Sequence, residues 1–510
     1  MIYTHSVGRA LQYFPQHTAL LRDERAVPFL ELDIRVRRIA AALRRRGFLS
    51  GDRLAFLMPN GSDYIELVYA CSLLGVIAVP INTRYAGAEI DRLLADARPR
   101  GLIRHSKFPA PTVRLDWEHV IDLIPLDALD DAEEELYAGE FYDPDAILVL
   151  LYTSGTTGAP KGAALTHANI FSNIHDLNYW LAYREAAIFL HASPMFHIAD
   201  FPSMFAAPVF GAAQMTLEHF DAPSFCASVQ TNGVTHTVLV PSMINTLCQF
   251  QELAAFNLDS LDVLAYGGSP IAPALVQEVR RTLPKAKLLQ VYGLSEAGFL
   301  TGLTDADHTE DRLQSCGRTC PGIDLRVVDA AGKPVAAGEL GNLVARGPGI
   351  MRGYWHDIEE DLRGDESSVD ETAEALHGGF FHTGDIGRQD KDGYFYIVDR
   401  AKEMIVSGGE NVYSAEVEAA IYEIPEVKEA AVFGIPDEKW GELVAAAVVL
   451  RLGTNLSAEE LKQYCKTRIA SYKVPRHVEF MKEELPKSGS GKILKRVLRE
   501  KYWTGQPRRV

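Results

Sequence analysis

The sequence predicts an α/β protein with a large N-terminal domain of parallel-sheet subdomains, a small antiparallel sheet or β-barrel, and a small α+β domain at the C-terminus. Up to Gly302, short apolar runs alternate with helical segments, which is typical of parallel sheets covered by helices on both faces. Beyond Gly302 the runs are separated by Gly, Pro and Asp, which indicates antiparallel strands. Because a new α+β pattern begins at Arg400, we place the domains at residues 1–399 and 400–510.

Each element is predicted from its hydrophobic period and from the residues that interrupt it. Short apolar runs that end at Gly or Pro predict strands, and longer segments with a helical period predict helices. The predicted strands are 53–58, 76–81, 102–104, 146–151, 187–192, 234–240, 261–266, 287–291, 429–433 and 444–450. The predicted helices are 7–14, 32–46, 62–74, 88–97, 168–180, 241–253, 274–283, 415–424 and 458–469.

The composition is that of an ordinary soluble globular protein, and the charge argues against a nucleic-acid-binding protein. Hydrophobic residues make up 47% and charged residues 23%, and the net charge of -17 argues against binding to nucleic acid. The six cysteines are scattered without zinc-site spacing, so we expect reduced thiols. No secretory signal is predicted, because the N-terminus lacks a basic start followed by an apolar core. No transmembrane helix is predicted, because the uncharged runs 67–83 and 222–251 contain Gly, Pro or many polar residues. We therefore expect a cytoplasmic location.

One stretch, residues 152–162, carries the densest concentration of phosphate-binding residue types. It reads YTSGTTGAPKG and follows the apolar run 146–151, which predicts a buried strand leading into a flexible loop. Glycines allow close backbone approach, while hydroxyls and a lysine add donors, as a polyphosphate requires. The spacing differs from that of a Walker A loop. The candidate phosphate-binding residues are Thr153, Ser154, Gly155, Thr156, Thr157, Gly158 and Lys161.

This stretch resembles the phosphate loop of the adenylate-forming superfamily, which includes acyl-CoA synthetases, luciferases and the adenylation domains of peptide synthetases. The resemblance extends over roughly residues 150–496 and includes further motifs in the family's order. It implies that ATP, Mg²⁺ and coenzyme A are used, that Glu296 holds the magnesium and that Lys492 is the catalytic lysine. The implied adenine, ribose and phosphate contacts are Gly267, Gly268, Ser269, Tyr292, Gly293, Ser295, Asp385 and Arg400.

The chemistry of these residue types supports the implied roles. Attack of a carboxylate on a polyanion needs cations that neutralise the α-phosphate, and a metal on Glu296 with the Lys492 ammonium supplies them. Lysine suits this role because it is a mobile point charge on a flexible stem. Each residue alone has an ordinary structural interpretation as a turn or surface residue, and the hypothesis depends on their joint order.

The resemblance also predicts a mobile C-terminal domain with a hinge at Lys402. Relatives form the adenylate in one orientation and the thioester after a rotation about this hinge, and such hinges act through a few residues. The rotation would bring Ser407, Gly408 and Gly409 to the coenzyme A thiol. Between Trp355 and the HTGD motif the chain is longer than usual, and we expect the acidic segment 357–371 to be a solvated loop.

The identity of the carboxylic acid is left open between fatty and aryl acids. The resemblance places His197 beside the acyl pocket, where a catalytic and a structural role are equally weighted. Relatives that activate amino acids usually carry an aspartate near this position to hold the substrate amine. Position 197 is a histidine here, although Asp200 is close in the sequence. The candidate pocket residues are His197, Phe201, Met204 and Tyr266, with Phe196 beside them. The alternatives are an acyl-AMP ligase that feeds a carrier protein, an oxidative luciferase-like enzyme and a non-catalytic nucleotide-binding protein. A homodimer also stays open.

Overall fold

The computed structural model describes most of the chain. The described residues are 1–22, 25–108, 111–112, 119–123, 136–153, 161–363, 370–408, 410–437, 439–488 and 493–503. Within these ranges, every helix is too short or too polar to cross a bilayer. The six cysteines are free thiols, and all except Cys248 are buried, as the sequence predicts.

The strands and helices follow in chain order. The strands are β1 (Thr18–Arg22), β2 (Arg25–Pro28), β3 (Arg53–Leu57), β4 (Ile77–Pro80), β5 (Gly101–His105), β6 (His119–Leu123), β7 (Ile147–Thr153), β8 (Lys161–Thr166), β9 (Ile188–His191), β10 (Ala213–Thr216), β11 (His236–Leu239), β12 (Val263–Gly267), β13 (Lys287–Leu294), β14 (Gly298–Leu303), β15 (Arg318–Thr319), β16 (Asp324–Val328), β17 (Gly341–Arg346), β18 (Gly353–Tyr354), β19 (Leu376–His377), β20 (Phe380–Gln389), β21 (Phe395–Arg400), β22 (Ile405–Ser407), β23 (Glu410–Val412), β24 (Val427–Asp437), β25 (Gly441–Leu450) and β26 (His477–Met481). The α-helices are α1 (Arg9–Tyr13), α2 (Phe29–Arg45), α3 (Ser62–Leu74), α4 (Gly87–Ala97), α5 (His167–Leu181), α6 (Phe201–Val209), α7 (Ala222–Asn232), α8 (Pro241–Cys248), α9 (Pro273–Thr282), α10 (Trp355–Arg363), α11 (Glu371–Ala375), α12 (Ser414–Tyr422), α13 (Ala458–Lys466) and α14 (Lys495–Glu500).

Two large, mostly parallel sheets form the N-terminal part, as the alternation of strands and helices predicts. The first has the order β18-β8-β7-β4-β3-β5-β6, and the second has the order β15-β14-β13-β12-β11-β9-β10-β1-β2. Both carry antiparallel strands at their margins, where β8 pairs with β7 and β14 pairs with β13. The main core, which contains α2, α3, α5 and α6, holds residues of both sheets, so one apolar region joins them.

Two smaller sheets follow in the chain. The third has the order β16-β17-β20-β19, with β21 beside β20, and its strand pairs are all antiparallel. It is the predicted small antiparallel sheet. The fourth has the order β23-β22-β25-β24, with β26 parallel to β25, and its two faces carry separate apolar clusters. This sheet and α12 to α14 form the predicted C-terminal α+β unit.

The prediction of a solvated loop over 357–371 is wrong for the first part of this segment. Helix α10 occupies its start because Trp355 and Ile358 pack against the apolar cluster of the first sheet. Asp357 is 7% exposed and accepts hydrogen bonds from the Thr372 N–H at 2.8 Å and from its hydroxyl at 2.6 Å. Residues 364–369 lie outside the described part of the chain.

A buried ion cluster joins β1, α2 and α3, and its loss should destabilise the fold. Glu66, 1% exposed, lies 2.8 Å from Arg22 and 2.6 Å from Arg35. Glu66→Ala removes the buried carboxylate and leaves Arg22 and Arg35 paired with Asp63, at 2.9 and 3.5 Å. We therefore expect a loss of about 3 kcal/mol in the free energy of unfolding, the lower end of the cost of breaking a buried ion pair. Denaturant unfolding of both proteins measures this difference.

The matched control removes an exposed glutamate that also pairs with an arginine. Glu31 lies 2.7 Å from Arg25, and the two side chains are 41% and 69% exposed. Water screens this pair, so Glu31→Ala should cost at most about 1 kcal/mol. Equal losses for Glu66→Ala and Glu31→Ala would contradict a structural role for the buried cluster.

Candidate active site

The predicted ribose contacts meet between the second and third sheets. Asp385 on β20 faces Arg400 on β21 across the strands, and the Arg400 Nε lies 2.6 Å from the Asp385 Oδ1. The Tyr292 hydroxyl, near the end of β13, donates to the Asp385 Oδ2 at 2.5 Å. Burial, and then the Asp385 carboxylate, raises the pKa of Tyr292 well above its ordinary value, so the phenol stays a donor. Each carboxylate oxygen keeps a second lone pair, which suits the hydroxyl donors of a ribose.

The predicted adenine segment lies next to Tyr292 because β12 and β13 are parallel neighbours. Gly267 at the end of β12 is the register partner of Val291, and a Cβ at Gly267 would lie 2.2 Å from the Val291 carbonyl oxygen. Gly268 follows with φ of +80°, a conformation that favours glycine. Ser269 comes next and is partly exposed. The structure therefore brings Gly267 and Gly268 beside Tyr292 and Gly293, although helix α9 separates the two segments in the sequence.

The metal and phosphate side is built by the turn after β13 and by the β8-β18 edge of the first sheet. Glu296 lies in the turn between β13 and β14, after Ser295, and the Tyr354 hydroxyl donates to its Oε1 at 3.1 Å. The Lys161 Nζ lies 5.2 Å from the centre of the Tyr354 ring and 2.7 Å from the Glu371 Oε1. Because β18 pairs with β8, the phenol and the ammonium lie on one edge beside the Glu296 carboxylate.

Glu296 fits a magnesium site of the kind that substrate phosphates complete. Mg²⁺ commonly binds through one or two carboxylates, with phosphate oxygens and water as the remaining ligands. Among the described residues, no group of three His, Cys, Asp or Glu side chains could hold a metal alone. The Glu296 carboxylate, which accepts a hydrogen bond from the Tyr354 hydroxyl, stays the predicted protein ligand of the metal.

Several predicted site residues lie outside the described residues: Ser154, Gly155, Thr156, Thr157, Gly158, Gly409 and Lys492. The residues that flank them are placed. Thr153 and Lys161 are register partners at the ends of β7 and β8. Lys487 forms an antiparallel bridge with Ile493, and the Ser488 carbonyl accepts from the Arg84 guanidinium at 3.5 Å. Ser488 thus contacts the N-terminal part of the chain.

A cavity of about 240 Å³ lies at the carboxyl ends of strands from both large sheets. Phe196, Phe108, Phe220, Met58 and Met243 are among its lining residues. The other predicted pocket residues, His197, Phe201, Met204 and Tyr266, are not in its lining, and the last three are buried in the apolar cores. They remain predictions for the acyl pocket.

His197 lies in the turn that precedes α6, close to Phe196. It is partly exposed, and its Nδ1 accepts from the Ala199 N–H at 3.2 Å, which leaves a tautomer protonated at Nε2. Asp200, three residues later, is fully buried and its Oδ1 is bonded to the Nδ1 of His191. Because Asp200 is bonded to a buried histidine and is not exposed, we do not expect it to hold a substrate amine.

The predicted hinge and thiol-side residues are placed on the C-terminal side of β21. Lys402 lies in a turn in which the Glu403 and Met404 N–H groups donate to the Arg400 carbonyl at 2.9 and 3.1 Å. Ser407 ends β22, and Gly408 has φ of +63°. A Cβ at Gly408 would lie 2.6 Å from the Trp440 ring.

Sequence reasoning missed four residues that the structure places at the site. Tyr354 bonds to Glu296, Glu371 pairs with Lys161, Arg84 contacts Ser488, and Trp440 covers Gly408. Tyr354 could have been found because it directly precedes Trp355, where the unusually long connection to the HTGD motif begins. The other three follow from tertiary contacts and have no local signal.

The fold and these neighbouring residues indicate an ATP-dependent ligase, for which we predict a ribose-binding carboxylate, Asp385, and a metal-binding glutamate, Glu296. The chain belongs to the AMP-binding enzyme family: residues 7–355 match the AMP-binding enzyme domain, and residues 416–492 match the AMP-binding enzyme C-terminal domain. The adenylate-forming superfamily and its acyl-CoA synthetase branch are thereby confirmed. The chain is an AMP-forming acid–thiol ligase, and ATP, Mg²⁺ and coenzyme A are the cofactors of the CoA ligases in this family.

Three known proteins illustrate this similarity over the whole chain. A feruloyl-CoA synthase from Amycolatopsis sp. is 38% identical over 97% of this chain and 98% of its own length. A fatty acid–[acyl-carrier-protein] ligase, ScoC from Streptomyces coeruleorubidus, is 33% identical over 98% and 96%. The structure of o-succinylbenzoate coenzyme A synthetase from Bacillus subtilis with ATP and magnesium is similar with a TM-score of 0.85, at 29% identity over 97% and 98%.

Proposed function

We propose that this enzyme activates an aromatic carboxylic acid and transfers its acyl group to free coenzyme A in the cytoplasm. In the first half-reaction the carboxylate attacks the α-phosphate of ATP, which gives the acyl-AMP and releases pyrophosphate. In the second, the coenzyme A thiol attacks the acyl carbon, which gives the thioester and releases AMP. The observation that carries the proposal is the juxtaposition of Asp385, Arg400 and Tyr292 with Glu296, Tyr354 and Lys161.

The residues divide the first half-reaction between them. Asp385 and Arg400 hold the ribose, and the Lys161 ammonium binds the departing β- and γ-phosphates. Mg²⁺, when bound, neutralises phosphate charge as a Lewis acid. Tyr354 orients the Glu296 carboxylate by its 3.1 Å hydrogen bond. The Ser488 contact with Arg84 is consistent with an orientation in which the Lys492 segment serves adenylate formation.

The cavity fits an acid without an amino group, and the choice of an aromatic acid rests on similarity to a known relative. The cavity wall carries the rings of Phe196, Phe108 and Phe220, which offer apolar area to a ring or short chain. Its acidic side chain, Glu218, is paired with Lys107, and Asp200 is turned into the core. The similarity to a feruloyl-CoA synthase supports the same choice of acid.

Free coenzyme A is proposed as the acceptor because the predicted thiol side carries cations. The ring of Trp440, which packs on Gly408, has the Lys439 Nζ at 5.0 Å and the Arg476 guanidinium at 4.5 Å from its centre. Positive charge beside a flat apolar ring suits the anionic and nucleotide parts of coenzyme A. The carrier-protein acceptor of ScoC is the alternative.

The rate of pyrophosphate release identifies the preferred acid, and the thioester product identifies the acyl acceptor. The purified enzyme is given ATP and Mg²⁺ with cinnamates, benzoates or fatty acids, and the expected result is the highest kcat/KM with a cinnamate or benzoate. Product analysis then compares free coenzyme A with a phosphopantetheinylated carrier protein. Faster turnover of long fatty acids would overturn the aromatic assignment, and acyl transfer to the carrier protein alone would overturn the acceptor.

Substitution at Gly408 should affect only the second half-reaction. An alanine Cβ would enter the Trp440 ring and would also meet an unfavourable φ of +63°. We expect Gly408→Ala to lower the rate of thioester formation from supplied acyl-AMP by about 10-fold or more, which corresponds to at least ~1.4 kcal/mol. Acid-dependent pyrophosphate exchange should change by less than about twofold.

Gly453→Ala is the control for backbone strain. Gly453 also has a positive φ, of +79°, but no heavy atom of the described residues lies within 4 Å of the position that a Cβ would take there. It should therefore leave both half-reactions unchanged. A loss of thioester formation in Gly453→Ala as large as that in Gly408→Ala would show that the Trp440 contact is not the cause.

A further inference from the structure

We propose that Glu371 is an internal anion that binds Lys161 in the nucleotide-free enzyme and is displaced by the phosphates of ATP. Glu371 would thereby weaken the binding of ATP and of pyrophosphate and speed the departure of pyrophosphate. The inference deepens the proposed function, because it rests on Lys161 as a contact of the β- and γ-phosphates.

The pair lies on the phosphate side of the site and is open to an incoming ligand. The Lys161 Nζ lies 2.7 Å from the Glu371 Oε1, and the two side chains are 20% and 30% exposed. The same ammonium lies 5.2 Å from the centre of the Tyr354 ring, whose hydroxyl donates to Glu296. Glu371 therefore competes for the cation beside the proposed metal carboxylate.

The chain holds Glu371 in place through both of its neighbours. Asp370 accepts from the Ala373 N–H at 2.8 Å, which fixes the start of α11. Thr372 donates to the buried Asp357 through its N–H and its hydroxyl, and its hydroxyl oxygen accepts from the Tyr354 N–H at 2.9 Å. The contact between Glu371 and Lys161 is thus part of a connected structure that includes α10 and β18.

Charge explains why this pair opens when ATP binds. A partly exposed carboxylate-ammonium pair is weak, whereas a polyphosphate offers several negative oxygens to the same ammonium. After the reaction, the same carboxylate is available to take Lys161 back from pyrophosphate. An uncharged glutamine at this position would leave Lys161 with the phosphates.

Direct binding of ATP and of pyrophosphate to the full-length enzyme tests the proposal. By calorimetric titration with Mg²⁺ present, Glu371→Gln should bind both about 3- to 10-fold more tightly than the wild type. Under steady-state conditions its KM for ATP should fall, and inhibition by added pyrophosphate should become stronger. Glu374→Gln, which removes an exposed charge from the same helix, should bind both as the wild type does.

A double-mutant cycle separates this inference from the proposed role of Lys161. Lys161→Met alone should weaken binding of ATP and pyrophosphate, and in this background Glu371→Gln should have no further effect. If Lys161→Met leaves binding unchanged, the phosphate role of Lys161 fails. Two results would overturn the role of Glu371 while Lys161→Met still weakens binding. In the first, Glu371→Gln leaves phosphate binding unchanged or weaker than in the wild type. In the second, Glu371→Gln changes binding equally in the wild-type enzyme and in the Lys161→Met variant. Thermal unfolding midpoints show whether each variant is folded.

Discussion

Lys492→Ala should lower the rate of acyl-AMP formation by roughly 100- to 1,000-fold, the effect expected when a preorganised charge at a transition state is lost. The physical reason is that the pentacoordinate α-phosphate gains negative charge that the lysine ammonium neutralises. Thioester formation from supplied acyl-AMP should remain within about threefold of wild type, because the predicted rotation about Lys402 carries this lysine away from the site before that step. Pyrophosphate exchange and thioester formation are measured separately on the same preparations.

Lys161→Ala provides the comparison for this result. Lys161 is proposed to bind the leaving group, so its loss should act mainly on the KM for ATP, by about 10-fold, as for a hydrogen bond to a charged group. If Lys161→Ala and Lys492→Ala reduced adenylate formation equally, the division between leaving-group binding and catalysis would be contradicted.

Much of the candidate site could be predicted because it follows strand ends. The residues that end β12 and the Tyr292 segment of β13 are adjacent because parallel strands present their carboxyl ends at one edge, a rule that needs only strand order. The roles of Asp385 and Arg400 could be assigned by resemblance. Their pairing across β20 and β21 could not be predicted from the sequence. The local sequence therefore identifies these residues, and the sheet register determines how they meet.

Other parts could not be predicted because tertiary packing overrides local signals. The strand β8 begins within the glycine-rich stretch itself, and it forms because its residues pair with β7 and β18. Helix α6 contains Pro208, which disfavours a helix, whereas Pro202 lies in the first turn, where proline is tolerated. The helix forms although its interior holds a proline, and all of its residues are buried. Similarly, the acidic composition around Glu371 indicates solvent, whereas Asp357 and Thr372 hold it against Lys161.

Hydrogen bonds on either side of the predicted hinge, Lys402, hold together the segments that it joins. Asp399 precedes the hinge and accepts hydrogen bonds from the N–H and the hydroxyl of Ser414, which follows it at the start of α12. The Lys495 Nζ lies 2.6 Å from the Ser414 Oγ and 2.8 Å from a carboxylate oxygen of Glu418. Because Asp399 and Ser414 lie on opposite sides of Lys402, rotation about this residue would separate them.

Lys402→Pro should therefore retain adenylate formation and abolish most of the thioester step. Proline fixes φ near -65°, so the backbone at this position loses the freedom that a rotation between two orientations needs. We expect pyrophosphate exchange within about threefold of wild type and thioester formation reduced by about 100-fold or more. Lys402→Ala, which keeps the backbone free, should change neither half-reaction appreciably. Equal loss of both half-reactions in Lys402→Pro would mean that the proline disturbs the fold around Arg400, and equal retention of both would show that the second half-reaction needs no rotation at Lys402.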